Sequence, residues 1–140
     1  MSKVSTAELS REFWEIVRTP ELPELGPGPR AGVVPSRDLS RRLQDWLAIR
    51  HVEDVNEPAL RAAALLYHDH HDEAHDLVQD GGNSDIALIH AILHRREPDF
   101  WNAKYWFRRV GDHPIYRTLA ERLPLLVANG EGKGVLGRLT

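Results

Sequence analysis

Apolar residues recur every three or four positions along most of this chain, and no segment shows the alternation expected of a strand. That spacing places apolar side chains on one face of an α-helix. Capping residues, prolines and glycines divide the pattern into predicted helices at 6–18, 36–51, 56–79, 84–97, 99–111 and 114–128. The sequence therefore predicts an all-α protein, a compact bundle of five or six helices.

A proline- and glycine-rich segment separates the first predicted helix from the others. Residues 19–35 contain five of the nine prolines and three of the ten glycines, so they cannot form a helix. One interpretation is a linker, which makes residues 1–18 an N-terminal helical arm that packs on the body of its own chain or on another subunit. The other is an extended loop that lies on the main body. A helical core domain at 36–128 and a flexible tail at 129–140 complete the predicted organisation.

The composition limits the chemistry that the chain can perform. Its 140 residues fit one domain, and the absence of cysteine excludes disulfides, thiolate metal sites and cysteine nucleophiles. Any metal must therefore be bound by nitrogen and oxygen ligands. A formal net charge of −3 disfavours a nucleic-acid partner. No run approaches the ~20 apolar residues of a membrane span, so we expect a cytoplasmic protein. The composition is compatible with a small-molecule ligand and with a homo-oligomer.

Histidines and carboxylates crowd into residues 68–76, which hold four of each. On a continuous helix, each residue is rotated by about 100° around the axis relative to the one before it. This rotation places most of the histidines and most of the acids on different faces. His71 lies within the apolar face and His75 lies along its edge. The acids that point towards solvent are Asp69, Glu73 and Asp76.

The next predicted helix carries a second pair, His90 and His94, along the edge of its apolar face. Histidines four residues apart on one helix can share a metal ion, and a short turn makes the two helices antiparallel neighbours. We therefore expect His71, His75, His90 and His94 to converge on a divalent transition metal. Imidazole suits Zn²⁺, Fe²⁺ and Mn²⁺ alike. The alternative is that buried histidines only hydrogen-bond across the helix interface.

The segment His71-Asp72-Glu73-Ala74-His75 resembles the H-E-x-x-H motif of zinc metalloproteases, with Asp72 in the place of its glutamate. The resemblance implies that Asp72 is a general base or a hydrogen-bond partner of a ligand, although its side chain is one methylene shorter. The His-Asp dipeptides of this region also resemble the signature of HD phosphohydrolases, whose remaining ligands have no clear counterparts here. Hemerythrin-like bundles share the His-x-x-x-His pairs, but their full ligand series is missing.

Aromatic and basic residues concentrate directly after the second histidine pair. Half of the ten aromatic residues lie between Phe100 and Phe107. Flat rings and arginines can form the wall of a site for an anionic or aromatic ligand. The predicted substrate-binding residues are Arg95, Arg96, Asn102, Lys104, Tyr105 and Arg108. The alternative is that these residues have structural roles. The arginines would then stabilise the last turns of helices through the helix dipole, and the rings would form part of a core or a dimer interface.

The run His90-Ala-Ile-Leu-His94-Arg-Arg-Glu-Pro-Asp99, followed by Asn102-Ala-Lys-Tyr-Trp-Phe-Arg-Arg-Val-Gly111 and His113-Pro114, resembles a segment in a family of bacterial and fungal proteins. The resemblance covers residues 60–117, about half of the chain. It implies no activity, cofactor or assigned site. It indicates only that the histidine and aromatic segments belong to one functional unit.

Two functions follow from these patterns. The first is a small all-α metalloprotein, a metal-dependent hydrolase acting on an anionic or aromatic small molecule. The second is a metal-free module that binds a ligand or a protein, with structural or pH-responsive histidines.

Overall fold

The computed structural model describes residues 5–51 and 56–128, and in these residues it contains seven α-helices and no strand. The all-α class is confirmed, while the predicted number of five or six helices is too low. The predicted tail at 129–140 lies outside the described residues. No helix in the described part is long and apolar enough to cross a membrane. The helices are α1 (Thr6–Val17), α2 (Ser36–Arg50), α3 (Glu57–Tyr67), α4 (His71–Val78), α5 (Ser84–Arg96), α6 (Phe100–Val110) and α7 (Pro114–Ala128).

Side-chain caps determine where three helices begin. Ser5 accepts a hydrogen bond from the Glu8 amide at the start of α1, and Asn56 and Asn83 cap α3 and α5 in the same way. Each cap satisfies an amide that has no partner within the helix. These three helix starts are those predicted from the sequence.

Helices α1–α6 form one compact unit that extends to Val110, and α7 belongs to a second unit that begins at Gly111. The largest fully buried apolar side chains of the first unit come from α2, α4 and α5: Leu39, Leu43, Val78 and Leu93. The ring of Phe13 on α1 packs against that of Trp46 on α2, with centroids 6.0 Å apart. The N-terminal helix therefore packs on its own chain.

The predicted helix at 56–79 is wrong as a single element, because α3 ends at Tyr67 and α4 begins at His71. Asp69 adopts a left-handed backbone conformation, with φ 64°, which a continuous helix cannot contain. The side chains of His68 and Asp69 are both buried and bonded to distant segments. The helix breaks because these long-range bonds outweigh local helical continuity.

Asp69 is the centre of a buried ion cluster, so the expectation that it faces solvent is wrong. Its carboxylate lies 2.7 Å from Nη1 of Arg30 and 2.6 Å from Nη2 of Arg96, and it accepts a hydrogen bond from the Arg30 amide. Arg96 also donates to the carbonyl oxygens of Glu24, Gly26 and Leu66. The cluster holds the proline-rich segment, residues 19–35, against α3 and α5.

His68 and its neighbours hold the same proline-rich segment at a second place. The Val34 amide donates to Nδ1 of His68 at 3.0 Å, so the proton is on Nε2, which donates to the Val17 carbonyl at 2.7 Å. His70 donates to the Val34 carbonyl. Burial lowers the pKa of His68 below its ordinary value, against the opposing effect of the Val17 bond. The neutral ring is therefore the form that the fold uses.

We expect Gly28→Ala to lower the free energy of unfolding by about 1–3 kcal/mol. A Cβ at this position would lie 2.7 Å from Oδ2 of Asp69, and the backbone has φ +74°. Urea denaturation measures the loss. Gly26→Ala is the matched control, because a Cβ there meets nothing within 4 Å. Equal stability of the two variants would contradict the close approach of Gly28 to the ion cluster.

Candidate metal centre

Three histidine rings form a cluster between the helices α4 and α5. His75 on α4 lies 4.9 Å from His90 and 5.5 Å from His94, and the two rings on α5 are 4.8 Å apart, measured between ring centroids. One ligand nitrogen from each ring lies within 4.8 Å of the other two. His90 and His94 are buried and His75 is half-buried. These three residues could hold a metal ion.

His90 is the most deeply buried member of the cluster, with 2% of its surface exposed. Its ring stacks on Trp106 of α6 with centroids 4.0 Å apart. Burial lowers the pKa of His90 to about 4, with further lowering by His94 and His75, against the opposing effect of a backbone hydrogen bond to Val78. The ring is therefore neutral at pH 7, as a metal ligand must be.

Glu97 orients the His94 ring. Nδ1 of His94 lies 3.2 Å from Oε2 of Glu97, and the Asp99 carboxylate is farther away at 3.9 Å. A ring that donates from Nδ1 to a carboxylate keeps Nε2 free for a metal, an arrangement that most histidine ligands have. The sequence reasoning missed Glu97, although its position three residues after His94 could have revealed it.

An open pocket of about 300 Å³ adjoins the histidine cluster. It is lined by Asp72, His75, Asp76, His94 and Glu97. Asp72, the predicted general base, lies in this lining. Asp76, predicted to face solvent, is exposed and also lies in the lining. The pocket gives a small molecule access to two of the three rings.

His71 is the one predicted metal ligand that the structure does not bring into the cluster. It is the first residue of α4, and its Nε2 donates to the Pro27 carbonyl of the proline-rich segment at 2.7 Å. The break at residues 68–70 and the packing of this segment give His71 a backbone partner instead.

The predicted substrate-binding residues lie apart from this pocket. Arg96 is buried in the ion cluster, where backbone carbonyls and Asp69 occupy its donors. Arg95 lies over the Phe100 ring at 4.9 Å, and Asn102 donates to Asp99 at the start of α6. The others are exposed on α6: Lys104, Tyr105 and Arg108. None of the six is among the residues that line the described pocket.

The exposed aromatic residues of α6 form a surface of their own. Trp101 is 84% exposed, and Phe100 and Tyr105 are about half exposed. Trp106 alone turns inward to stack on His90. The aromatic segment thus divides into one ring that supports the histidine cluster and several that face solvent.

Comparison of the chain with protein-family models, curated proteins and solved structures yields no match.

Proposed function

We propose that this protein is a metal-dependent hydrolase whose metal is bound by His75, His90 and His94. The observation that carries the proposal is the convergence of three imidazoles from two helices on one point beside an open pocket. The bond between Nδ1 of His94 and the Glu97 carboxylate supports it, because this arrangement leaves Nε2 of His94 for a metal.

Three nitrogen ligands and an adjoining pocket suit a catalytic metal better than a structural one. Structural zinc sites use four protein ligands, whereas catalytic sites use three and leave one position for water or substrate. Ligand nitrogens around tetrahedral zinc are about 3.4 Å apart, and those of the three histidines lie within 4.8 Å of one another. Zn²⁺, Fe²⁺ and Mn²⁺ all accept these ligands.

The hydrolytic chemistry requires an acid, a base and water at one place. A divalent metal supplies Lewis acidity, which polarises the substrate and makes water more acidic. With an ester or amide substrate, Asp72 would accept a proton from water as the water oxygen bonds to the carbonyl carbon, and the bond from that carbon to the leaving group would break as the leaving group takes up the proton. The products are a carboxylic acid and the protonated leaving group, so no oxidant or reductant is needed.

The test compares two histidines of α4 that lie four residues apart. We expect His75→Ala to weaken Zn²⁺ binding by more than about a hundredfold, since loss of a mere hydrogen-bond partner of a ligand costs 10–100-fold. His71→Ala should bind Zn²⁺ as the wild type does, because His71 lies outside the cluster. Calorimetric titration of protein made without a histidine tag measures both affinities.

Failure of the wild type to bind Zn²⁺, Fe²⁺ or Mn²⁺ in stoichiometric amount would overturn the proposal. Equal losses in the two variants would overturn the ligand assignment. Metal-free behaviour would favour the alternative, a binding module that uses the exposed rings of α6.

A further inference from the structure

The lining of the pocket beside the histidine cluster carries negative charge. Three of its five residues are carboxylic acids, from α4 and from the end of α5: Asp72, Asp76 and Glu97. The other two are His75 and His94, and no lysine or arginine belongs to the lining of this described pocket. An anionic substrate would therefore approach against three like charges.

The nearby arginines cannot reverse this charge, because they are used elsewhere. Arg96 is bonded to Asp69 and three backbone carbonyls. Arg95, one residue after His94, lies over the Phe100 ring. The arginines that made an anionic substrate plausible from the sequence therefore do not face the pocket.

The metal site gives the acidic lining its significance. Carboxylates alone are common on protein surfaces, but here they share the pocket lining with His75 and His94 of the histidine cluster. Three carboxylates exceed the charge of one divalent ion bound by neutral imidazoles. A bound metal would attract the electron-rich carbonyl of a substrate, while the carboxylates of the lining would attract a positive group on the same molecule.

We propose that the substrate carries a cationic group, an ammonium or a guanidinium, a few ångströms from the bond that is hydrolysed. This inference rests on the proposed function and names its substrate class. Asp76 and Glu97 bind the cation, while Asp72 acts on water. The pocket volume of about 300 Å³ limits the ligand to a small molecule.

The test uses three metal-binding probes of similar chain length that differ in terminal charge. These are γ-aminobutyrohydroxamic acid, butyrohydroxamic acid and succinic monohydroxamic acid, which end in an ammonium, a methyl group and a carboxylate. Calorimetry measures their dissociation constants for the Zn²⁺-loaded protein. We expect the ammonium probe to bind about tenfold more tightly than the methyl probe, and the carboxylate probe most weakly.

Two matched variants of α4 test whether the lining causes the preference. Asp76→Asn should reduce the preference for the ammonium probe about threefold, since it removes one charge of the lining. Glu73→Gln should leave it unchanged, because Glu73 is exposed on the same helix and does not line the pocket.

Equal affinities of the three probes, or tighter binding of the carboxylate, would overturn the inference while the metal site stands. Zn²⁺ binding without binding of any probe would also overturn it, because the pocket would then not open onto the metal. Absence of Zn²⁺ binding is measured before any probe is added. That result would remove the proposed function, and the inference with it.

Discussion

Replacing Asp69 with asparagine should lower the free energy of unfolding by about 3–5 kcal/mol, a large part of the stability of a domain of this size. The side chain of Asp69 is 1% exposed, and those of Arg30 and Arg96 are each 7% exposed. Removing the carboxylate leaves two guanidinium groups in a buried place without an opposite charge. Asparagine is chosen because it tolerates the left-handed backbone of residue 69, so the loss reports the charge.

Urea denaturation at pH 7 measures this loss, with Asp76→Asn as the control. Asp76 is an aspartate on the adjoining helix α4 with an exposed side chain, and its replacement should change stability by less than about 0.5 kcal/mol. Burial raises the pKa of Asp69, but the hydrogen bonds from Arg96 and Arg30 outweigh it and leave the pKa below its ordinary value. The carboxylate is therefore charged at pH 7.

A double-mutant cycle separates the ion cluster from other effects of the substitution. Combining Asp69→Asn with Arg30→Met removes one of the two guanidinium groups together with the carboxylate. The combined loss should be smaller than the sum of the two single losses, because the pair is in contact. Strict additivity would show that the two side chains do not stabilise each other.

The ion cluster also explains which parts of the fold could be predicted from the sequence. Helices α1 and α5 begin at the residues expected, because Ser5 and Asn83 act on amides three residues away. The break between α3 and α4 has no such local signal. It depends on Arg30 and Arg96, which lie 39 and 27 residues from Asp69 along the chain.

In the candidate site too, the features that depend on local spacing were predictable and those that depend on distant residues were not. Helical spacing and a short connection were enough to predict that His75, His90 and His94 converge, because these relations are local or nearly so. His71 departs because its ring bonds Pro27, 44 residues away. Arg96, which sequence reasoning assigned to a substrate, is bonded instead to segments 27–72 residues distant. Spacing along a helix gives the face of a side chain but not its partner.

The second large effect concerns His90, whose replacement by phenylalanine should separate metal binding from stability. Phenylalanine keeps a ring against Trp106 but offers no nitrogen, so Zn²⁺ binding should weaken by more than about a hundredfold. The metal-free variant should be within about 1 kcal/mol of the wild type in stability at pH 7, because it keeps the ring contact with Trp106 and loses only one backbone hydrogen bond, to Val78.

The pH dependence of stability without metal gives the sign and size of the difference in unfolding free energy between His90→Phe and the wild type. The pKa of His90 is lowered to about 4 in the folded protein, from an ordinary value of 6.5. Well above pH 6.5 the ring is unprotonated in both the folded and the unfolded chain. As the pH falls from 6.5 to 4, the unfolded chain binds a proton there that the folded protein does not, which lowers the free energy of unfolding by about 3 kcal/mol.

Phenylalanine binds no proton, so the stability of His90→Phe relative to the wild type should rise by about 3 kcal/mol over that interval. The contributions of titrating groups that do not contact His90, His68 among them, are common to both proteins and cancel in the difference. Denaturant midpoints at pH 7, 5.5 and about 4 in the presence of a chelator measure it, and His90→Gln gives a second non-titrating side chain if phenylalanine does not fit. Parallel curves for variant and wild type would mean that His90 has the same pKa in the folded protein and in the unfolded chain, which would contradict the claim that burial holds this ring neutral at the proposed site.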